Sequence, residues 1–261
     1  MPDAARSDLP VKLSANLGFL WTELTLPDAI RAAAAAGFDA VECHWPYDVD
    51  AAQVRAALEE TGLPMLGLNT RRGAPGESGL AALPGREAEA RADIGEALDY
   101  AARIGAGAVH VMAGTASGAA ARDAFVANIA HACDRAAGQG VMILIEPLNR
   151  FDAPGYFLGT TAQATEVMDA IDRPNLGLMF DCYHVQRTEG DVSRRLEALL
   201  PRIGHIQIAG APDRGPPDTG ELDYAHVFAL LARLGWTRPV GAEYRPGGPT
   251  EATLGWMRAL R

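Results

Sequence analysis

Cysteine is scarce in this chain: Cys43, Cys133 and Cys182 are odd in number and widely spaced, with no CxxC pair among them. A disulfide framework and a structural zinc site both need clustered thiols, so a reduced, cytosolic protein is expected. Basic charge is short as well. With 23 Lys and Arg against 33 Asp and Glu, the net charge is −10. Nucleic acid and anionic membrane surfaces both demand a basic footprint, so neither is an expected partner. Long apolar runs are missing, none approaching the roughly 20 residues that span a bilayer. No GxGxxG follows the first strand-like segment, and there is no Walker-type glycine loop, which argues against an open nucleotide-binding sheet. Met1 to Pro10 is polar and carries Asp3 and Asp8 where a signal peptide has a basic start and an apolar centre. A flexible segment over residues 1–10 and a cytoplasmic location are expected.

What the chain has is apolar material in a regular order. At 261 residues and 48% hydrophobic content it can bury one large core. Val141 to Glu146 (VMILIE) is an unbroken apolar run, and Pro147 follows its glutamate at once. Such a run reads as a strand buried on both faces, hence a parallel sheet under helices, with Glu146 pointing off the strand's end. Similar strands are expected at Lys12–Gly18, Phe38–Glu42, Pro64–Asn69, Ala108–Met112, Leu176–Phe180, Ile203–Ala209 and Pro239–Glu243. Helices are expected at Leu26–Ala36, Ala51–Glu60, Glu87–Ile104, Ala119–Gly138, Thr161–Ile171, Asp191–Leu200, Tyr224–Leu234 and Thr250–Leu260. Strict alternation implies right-handed crossovers, and eight units close into a single (β/α)8 TIM barrel over residues 11–261. Helix-to-strand connections are terse, whereas those after the third, fifth and seventh strands are long. The site is therefore expected where the strand-to-helix loops gather, at the C-terminal ends of the strands.

The last four strand ends give Glu146, Asp181, Gln207 and Glu243. Three carboxylates and an amide oxygen are hard donors that suit Mg²⁺ or Mn²⁺. Without a cation they would repel one another, and at least one carboxylate would stay protonated. His184, three residues past Asp181, is a candidate for orienting or protonating a substrate oxygen. Asn69, at the end of the third strand, and His110, inside the fourth, are further pocket candidates, although His110 reads equally as a core histidine. His131 and His226 read as structural, and His205 falls on the same side of its strand as Gln207. Arg71, Arg72, Arg214 and Arg245 follow strand ends, where a guanidinium can hold a carboxylate bidentately, and Arg214 is the first choice.

The segments ANL (Ala15 to Leu17), AGFDAVE (Ala36 to Glu42), EPLN (Glu146 to Asn149), PGYF (Pro154 to Phe157), FDCYH (Phe180 to His184), HIQIA (His205 to Ala209), TGELDY (Thr219 to Tyr224) and GAEYRP (Gly241 to Pro246) resemble hydroxypyruvate isomerase. That family belongs to the xylose isomerase-like TIM barrels, which also hold ketose 3-epimerases and endonuclease IV-type AP endonucleases. The resemblance runs from Leu13 to the C-terminus. It implies that Glu146, Asp181, Gln207 and Glu243 bind a divalent metal and that Glu146 and Glu243 exchange the substrate proton from opposite sides. It also implies that His184 and Arg214 contact a small hydroxy-oxo acid such as hydroxypyruvate, and that a homo-oligomer is plausible. The chain departs from the family after the third strand, where Asn69-Thr70-Arg71-Arg72-Gly73 replaces a longer loop with a tryptophan, and over Phe19 to Leu26. A ketose 3-epimerase or a 2-oxo-tetronate-type isomerase shares the same site chemistry. An AP endonuclease needs more histidines than these strand ends provide, and a non-catalytic binder has no use for two intact glutamates.

Overall fold

The computed structural model describes residues 11–260, so the segment expected to be flexible, residues 1–10, lies outside the described residues. The strands are β1 (Leu13–Asn16), β2 (Ala40–Glu42), β3 (Leu68–Asn69), β4 (Ala108–His110), β5 (Met142–Ile145), β6 (Leu176–Asp181), β7 (Ile203–Ile208) and β8 (Val240–Ala242). They pair in the order β2-β1-β8-β7-β6-β5-β4-β3, and every pairing is parallel. The two ends of that order meet through a bridge between Val41 and Met65 and through bonds such as Leu66 N–H to Val41 O (2.7 Å) and Cys43 N–H to Gly67 O (3.1 Å). The result is the expected eight-stranded barrel, nearly closed.

Nine α-helices surround it among the described residues: α1 (Leu26–Ala35), α2 (Ala51–Thr61), α3 (Glu87–Ile104), α4 (Gly118–Ala136), α5 (Thr161–Ile171), α6 (Cys182–Thr188), α7 (Val192–Leu199), α8 (Tyr224–Arg233) and α9 (Trp256–Leu260). Their starts follow from local chemistry. Thr25 and Asp50 accept from the first free N–H groups of α1 and α2, and Pro27 sits where a missing N–H costs nothing. The helices turn alanine-rich, apolar faces inward: Ile94, Leu98 and Ala101 of α3 are buried along one side. Most of the apolar core therefore lies between the strands and the helices. None of these helices is long and apolar enough to cross a membrane.

Inside the barrel is a separate small cluster, Ala108, Leu144 and Met179, with Met142 against it. Gly177 and Gly204 leave room for it, since a Cβ on Gly204 would fall 2.4 Å from Leu144 Cδ2. Gly204 is also the extra residue in the β6–β7 register, which passes from Leu178↔Ile203 to Met179↔His205. Beyond that irregularity both His205 and Gln207 face the interior, where they bond to Glu42.

Three expected elements are corrected. The third strand covers only Leu68–Asn69 rather than Pro64–Asn69, because Pro64 has no N–H for a ladder and Met65 pairs only through a single bridge. The last helix is broken into a 3₁₀ turn at Thr250–Thr253 and the short α9, with Gly255 between them. An additional helix, α6, follows the sixth strand directly, and Asp181 caps it. That cap bears on the chemistry.

Candidate active site

Each strand-end candidate lies at the C-terminal rim, and burial of these groups is nearly complete: Glu146 is 5%, Asp181 1%, Gln207 3% and Glu243 6% exposed. Asp181 ends β6 and caps α6 at once. Its Oδ1 accepts from Tyr183 N–H (2.8 Å), while Oδ2 has no hydrogen-bond partner. The same is true of Glu146 Oε1 and Gln207 Oε1. Buried polar atoms are seldom left unpaired, so three orphaned oxygens in one place point to something they bind. Burial and the charges of Glu243 and Asp181 push the Glu146 carboxyl well above its ordinary range. Burial raises Asp181 to about 7, against the pull of Arg214. Buried carboxylates this close resist ionisation among themselves.

Gln207 is oriented by a residue outside the expected set. Its Nε2 donates to Glu42 Oε1 (2.8 Å), and Glu42 as an ionised acceptor can take only the amide's NH₂ side. The amide oxygen must then face the site. Glu42 is itself held by His205 Nε2 (2.7 Å) and Asn16 Nδ2 (3.0 Å), and His205 and Gln207 keep its carboxyl low despite burial. Gly241 gives Glu42 space, since a Cβ there would come within 2.6 Å of both carboxylate oxygens.

His184 Nε2 also has no hydrogen-bond partner, and together with Glu146 and Asp181 it forms a group whose potential ligand atoms lie within 4.8 Å of one another. Its other nitrogen decides its role. Nδ1 accepts from Asn149 N–H (3.0 Å) and lies 2.7 Å from Asn149 Nδ2, and burial lowers the imidazole to about 3. A neutral ring whose Nδ1 is an acceptor carries its proton on Nε2. His184 thus presents a donor to the pocket, which favours an oxygen of a substrate over a metal ion.

Glu243 is in a different condition. Its Oε1 accepts from Asn16 Nδ2 (3.0 Å) and lies 2.9 Å from His44 Nε2, and Arg214 Nη2 donates to its Oε2 (2.5 Å). Arg214 and His44 together hold its carboxyl far below the ordinary range, overcoming burial. Arg214 is buried too, 9% exposed, stacked between the rings of Phe19 and Tyr183, with Asp181 Oδ2 3.7 Å away. Its backbone lies at φ 57°, a left-handed conformation that side chains rarely adopt without surrounding support.

Asn69, His110, His184, Glu146, Arg214 and Glu243 line a pocket of about 360 Å³ at this rim. Burial drops His110 to about 4 and neither of its nitrogens is hydrogen-bonded, so it is a neutral wall 3.6 Å from Glu146. Arg71 is not part of this wall. It is turned outward and grips Glu96 through Nε (2.6 Å) and Nη2 (2.9 Å), because the chain alternates direction after β3 and sends Arg72 to the pocket instead. A second cavity of about 310 Å³ lies lower in the barrel, with Glu42, His205 and Gln207 among its lining, and is otherwise largely apolar. Of the orphaned carboxylates, Glu146 lines the upper pocket.

Sequence reasoning missed Asn16, Glu42 and His44. Glu42 follows the strand-end rule that picks out the last four strands, so that rule could have found it. His44, two residues further, had no comparable signal, and its place depends on Gly18, where a Cβ would lie 2.1 Å from the imidazole.

Residues 30–260 match the family described as xylose isomerase-like TIM barrel. The chain is 46% identical over 253 residues to 2-oxo-tetronate isomerase from Cupriavidus necator, covering 95% of this chain and 97% of that one. It is 41% identical over 262 residues to a putative hydroxypyruvate isomerase from Danio rerio, covering 95% of each. A crystal structure titled AP endonuclease, family 2, from Brucella melitensis superposes with a TM-score of 0.92 at 37% identity, covering 96% of this chain and 99% of that one.

Proposed function

This chain belongs to the xylose isomerase-like TIM barrel family, and from that premise we propose that it interconverts a small hydroxy-oxo acid and its isomer, with hydroxypyruvate the first choice and a 2-oxo-tetronate the second. The observation that carries the reading is the set of orphaned oxygens, Glu146 Oε1, Asp181 Oδ2 and Gln207 Oε1, on three consecutive strand ends, with Glu146 lining the same pocket as a saturated carboxylate, Glu243. The donors fit Mg²⁺ or Mn²⁺, being hard oxygens with two acids that are costly to ionise alone. Glu146, Asp181 and Gln207 would hold such an ion through these atoms, and Glu243 through lone pairs left after its hydrogen bonds. When bound, it would polarise the substrate's adjacent oxygens and offset charge developing on them.

The chain's own groups divide the remaining work. Glu243, kept ionised by Arg214 and His44, is the base that takes the proton from C3 of hydroxypyruvate. His184 Nε2–H donates to a substrate oxygen and holds it while charge builds there. Glu146, across the pocket, returns a proton to C2 from the opposite side. The C3 hydroxyl proton passes to the oxygen on C2, so the cis-enediolate collapses to tartronate semialdehyde with no net change in protons or electrons.

Proton NMR of hydroxypyruvate in D₂O with purified protein tests this. Tartronate semialdehyde appearing with deuterium at C2, abolished by EDTA and by Glu243→Gln, is the expected result. Absence of exchange with Mg²⁺ and Mn²⁺ present, for hydroxypyruvate and for a 2-oxo-tetronate alike, overturns it.

A further inference from the structure

Three arginines line the upper pocket, Arg72, Arg214 and Arg245, and they are not in the same state. Arg214 is already neutralised by Glu243 and Asp181, at 2.5 and 3.7 Å. Its Nε also leans on the carbonyl of Glu243 (3.4 Å), so little of its donor fork is open. Arg72 has a ring under it and, among the described residues, no carboxylate partner: its guanidinium lies 4.9 Å from the centroid of Trp45. Arg245 is fixed through its backbone, whose N–H donates to Arg214 O (2.7 Å), and its side chain has no carboxylate partner either among the described residues. In a chain of net charge −10, two uncommitted guanidinium groups beside one pocket are an uneven arrangement.

The platform under Arg72 is well held. Trp45 donates its indole N–H to Thr70 O (3.0 Å) and packs on His44 with ring centroids 5.0 Å apart. His44 is in turn 2.9 Å from Glu243. Arg72 therefore stands on a stack of side chains that ends at the proposed base, and an anion docked on it has its neighbouring carbons on the same wall as Glu243.

We infer that Arg72 and Arg245, not Arg214, form the subsite that binds the substrate's carboxylate, and so select an oxo-acid over a neutral ketose of the same length. This rests on the reading above that the substrate is a hydroxy-oxo acid. A guanidinium fork matches a carboxylate bidentately, and stacking on an indole leaves the edge of that fork free to do so. Both side chains are exposed, so removing either leaves the fold alone.

Arg72→Gln and Arg245→Gln are compared with Arg71→Gln as a control, using turnover of the acid and calorimetric binding of D-glycerate, an unreactive carboxylate analogue, against glycerol. The expected result is a rise in KM of tenfold or more with a smaller fall in kcat for Arg72→Gln and Arg245→Gln, matched by lost D-glycerate binding. Arg71→Gln should behave as the parent. A parent that turns over the acid, with KM and D-glycerate affinity unchanged in both pocket variants, overturns the subsite and leaves the proposed reaction standing. A parent inactive on every hydroxy-oxo acid overturns the reaction, and D-glycerate binding then decides the subsite alone: loss in Arg72→Gln and Arg245→Gln upholds it, and no loss overturns it.

Discussion

Glu146 and Glu243 occupy opposite sides of one rim, are about equally buried and share a chemistry, yet the barrel treats them in opposite ways. Around Glu243 the protein supplies an arginine, an imidazole and an amide, and the carboxyl is held low. Around Glu146 it supplies two more acids and a neutral histidine at 3.6 Å, and the carboxyl is pushed high. The first side has its charge compensated by its own neighbours, whereas the second does not. A pair of acids whose environments separate their proton affinities is what a proton shuttled between two carbons requires.

The largest effect that would break this contrast is on rate. Glu243→Gln should lower kcat by about 10²- to 10⁴-fold, the usual contribution of a positioned base, and Glu146→Gln by a comparable factor. Rate alone does not separate the two sides, but stability of the metal-free protein does. Glu243→Gln leaves Arg214 buried with only Asp181 at 3.7 Å, and should cost about 3 kcal/mol, near the lower end for breaking a buried pair. Glu146→Gln removes a charge that the site resists, and should leave the metal-free protein as stable or more so. Urea unfolding in EDTA reads both, and equal losses in the two variants would dissolve the contrast.

The barrel was legible in the sequence because it rests on period and punctuation: apolar runs, terse helix-to-strand turns and acids at strand ends. Glu146, Asp181, Gln207 and Glu243 were found by one rule, that a polar residue straight after a buried strand faces the rim. Pairing was not legible, because hydrogen bonds between residues 26 or 227 positions apart, such as those from Asn16 to Glu42 and Glu243, leave no local mark. The outward turn of Arg71 was hidden for a related reason. Adjacent arginines in an extended loop face opposite ways, and which one meets Glu96 depends on where α3 lies. Helix α6 escaped because its start is a single capping acid that was already counted as a strand end.

The contrast also has a pH signature. Asp181 at about 7 and Glu146 above its ordinary range both bind protons more tightly folded than unfolded. Between the unfolded carboxyl range near 4 and about 7, the folded state then holds more protons, and metal-free stability falls as pH rises. Glu42 and Glu243, both held low, act in the opposite sense, and their contribution is lost only in stronger acid. His110 and His184, kept neutral by burial, add stability as pH rises toward their unfolded value near 6.5, so the contrast is read above it: metal-free protein should melt lower at pH 8 than at pH 6.5. Saturating Mg²⁺ or Mn²⁺ should remove that slope, because the ion replaces the protons. A melting temperature that rises steadily from pH 6.5 to 8 in EDTA would mean that the Glu146 side is not under charge strain.

The smallest expected effect concerns how the two sides are joined. Glu42 touches both, through Gln207 on one side and through Asn16, shared with Glu243, on the other. In Glu42→Gln a neutral amide replaces an acceptor-only carboxylate, so Gln207 can turn its oxygen toward residue 42 and its NH₂ toward the site. An NH₂ group cannot bind a cation, and metal affinity should fall by about 10- to 100-fold, the usual consequence of losing an orienting partner. Glu42→Asp shortens the reach to Gln207 but keeps an acceptor-only group, so part of the affinity should return. Isothermal titration with Mn²⁺ on both variants measures the difference. Because Glu42 reaches no atom of the upper pocket except through Gln207 and Asn16, recovery in the Asp variant would show that it acts by fixing the direction of an amide, and equal loss in both would assign it to packing.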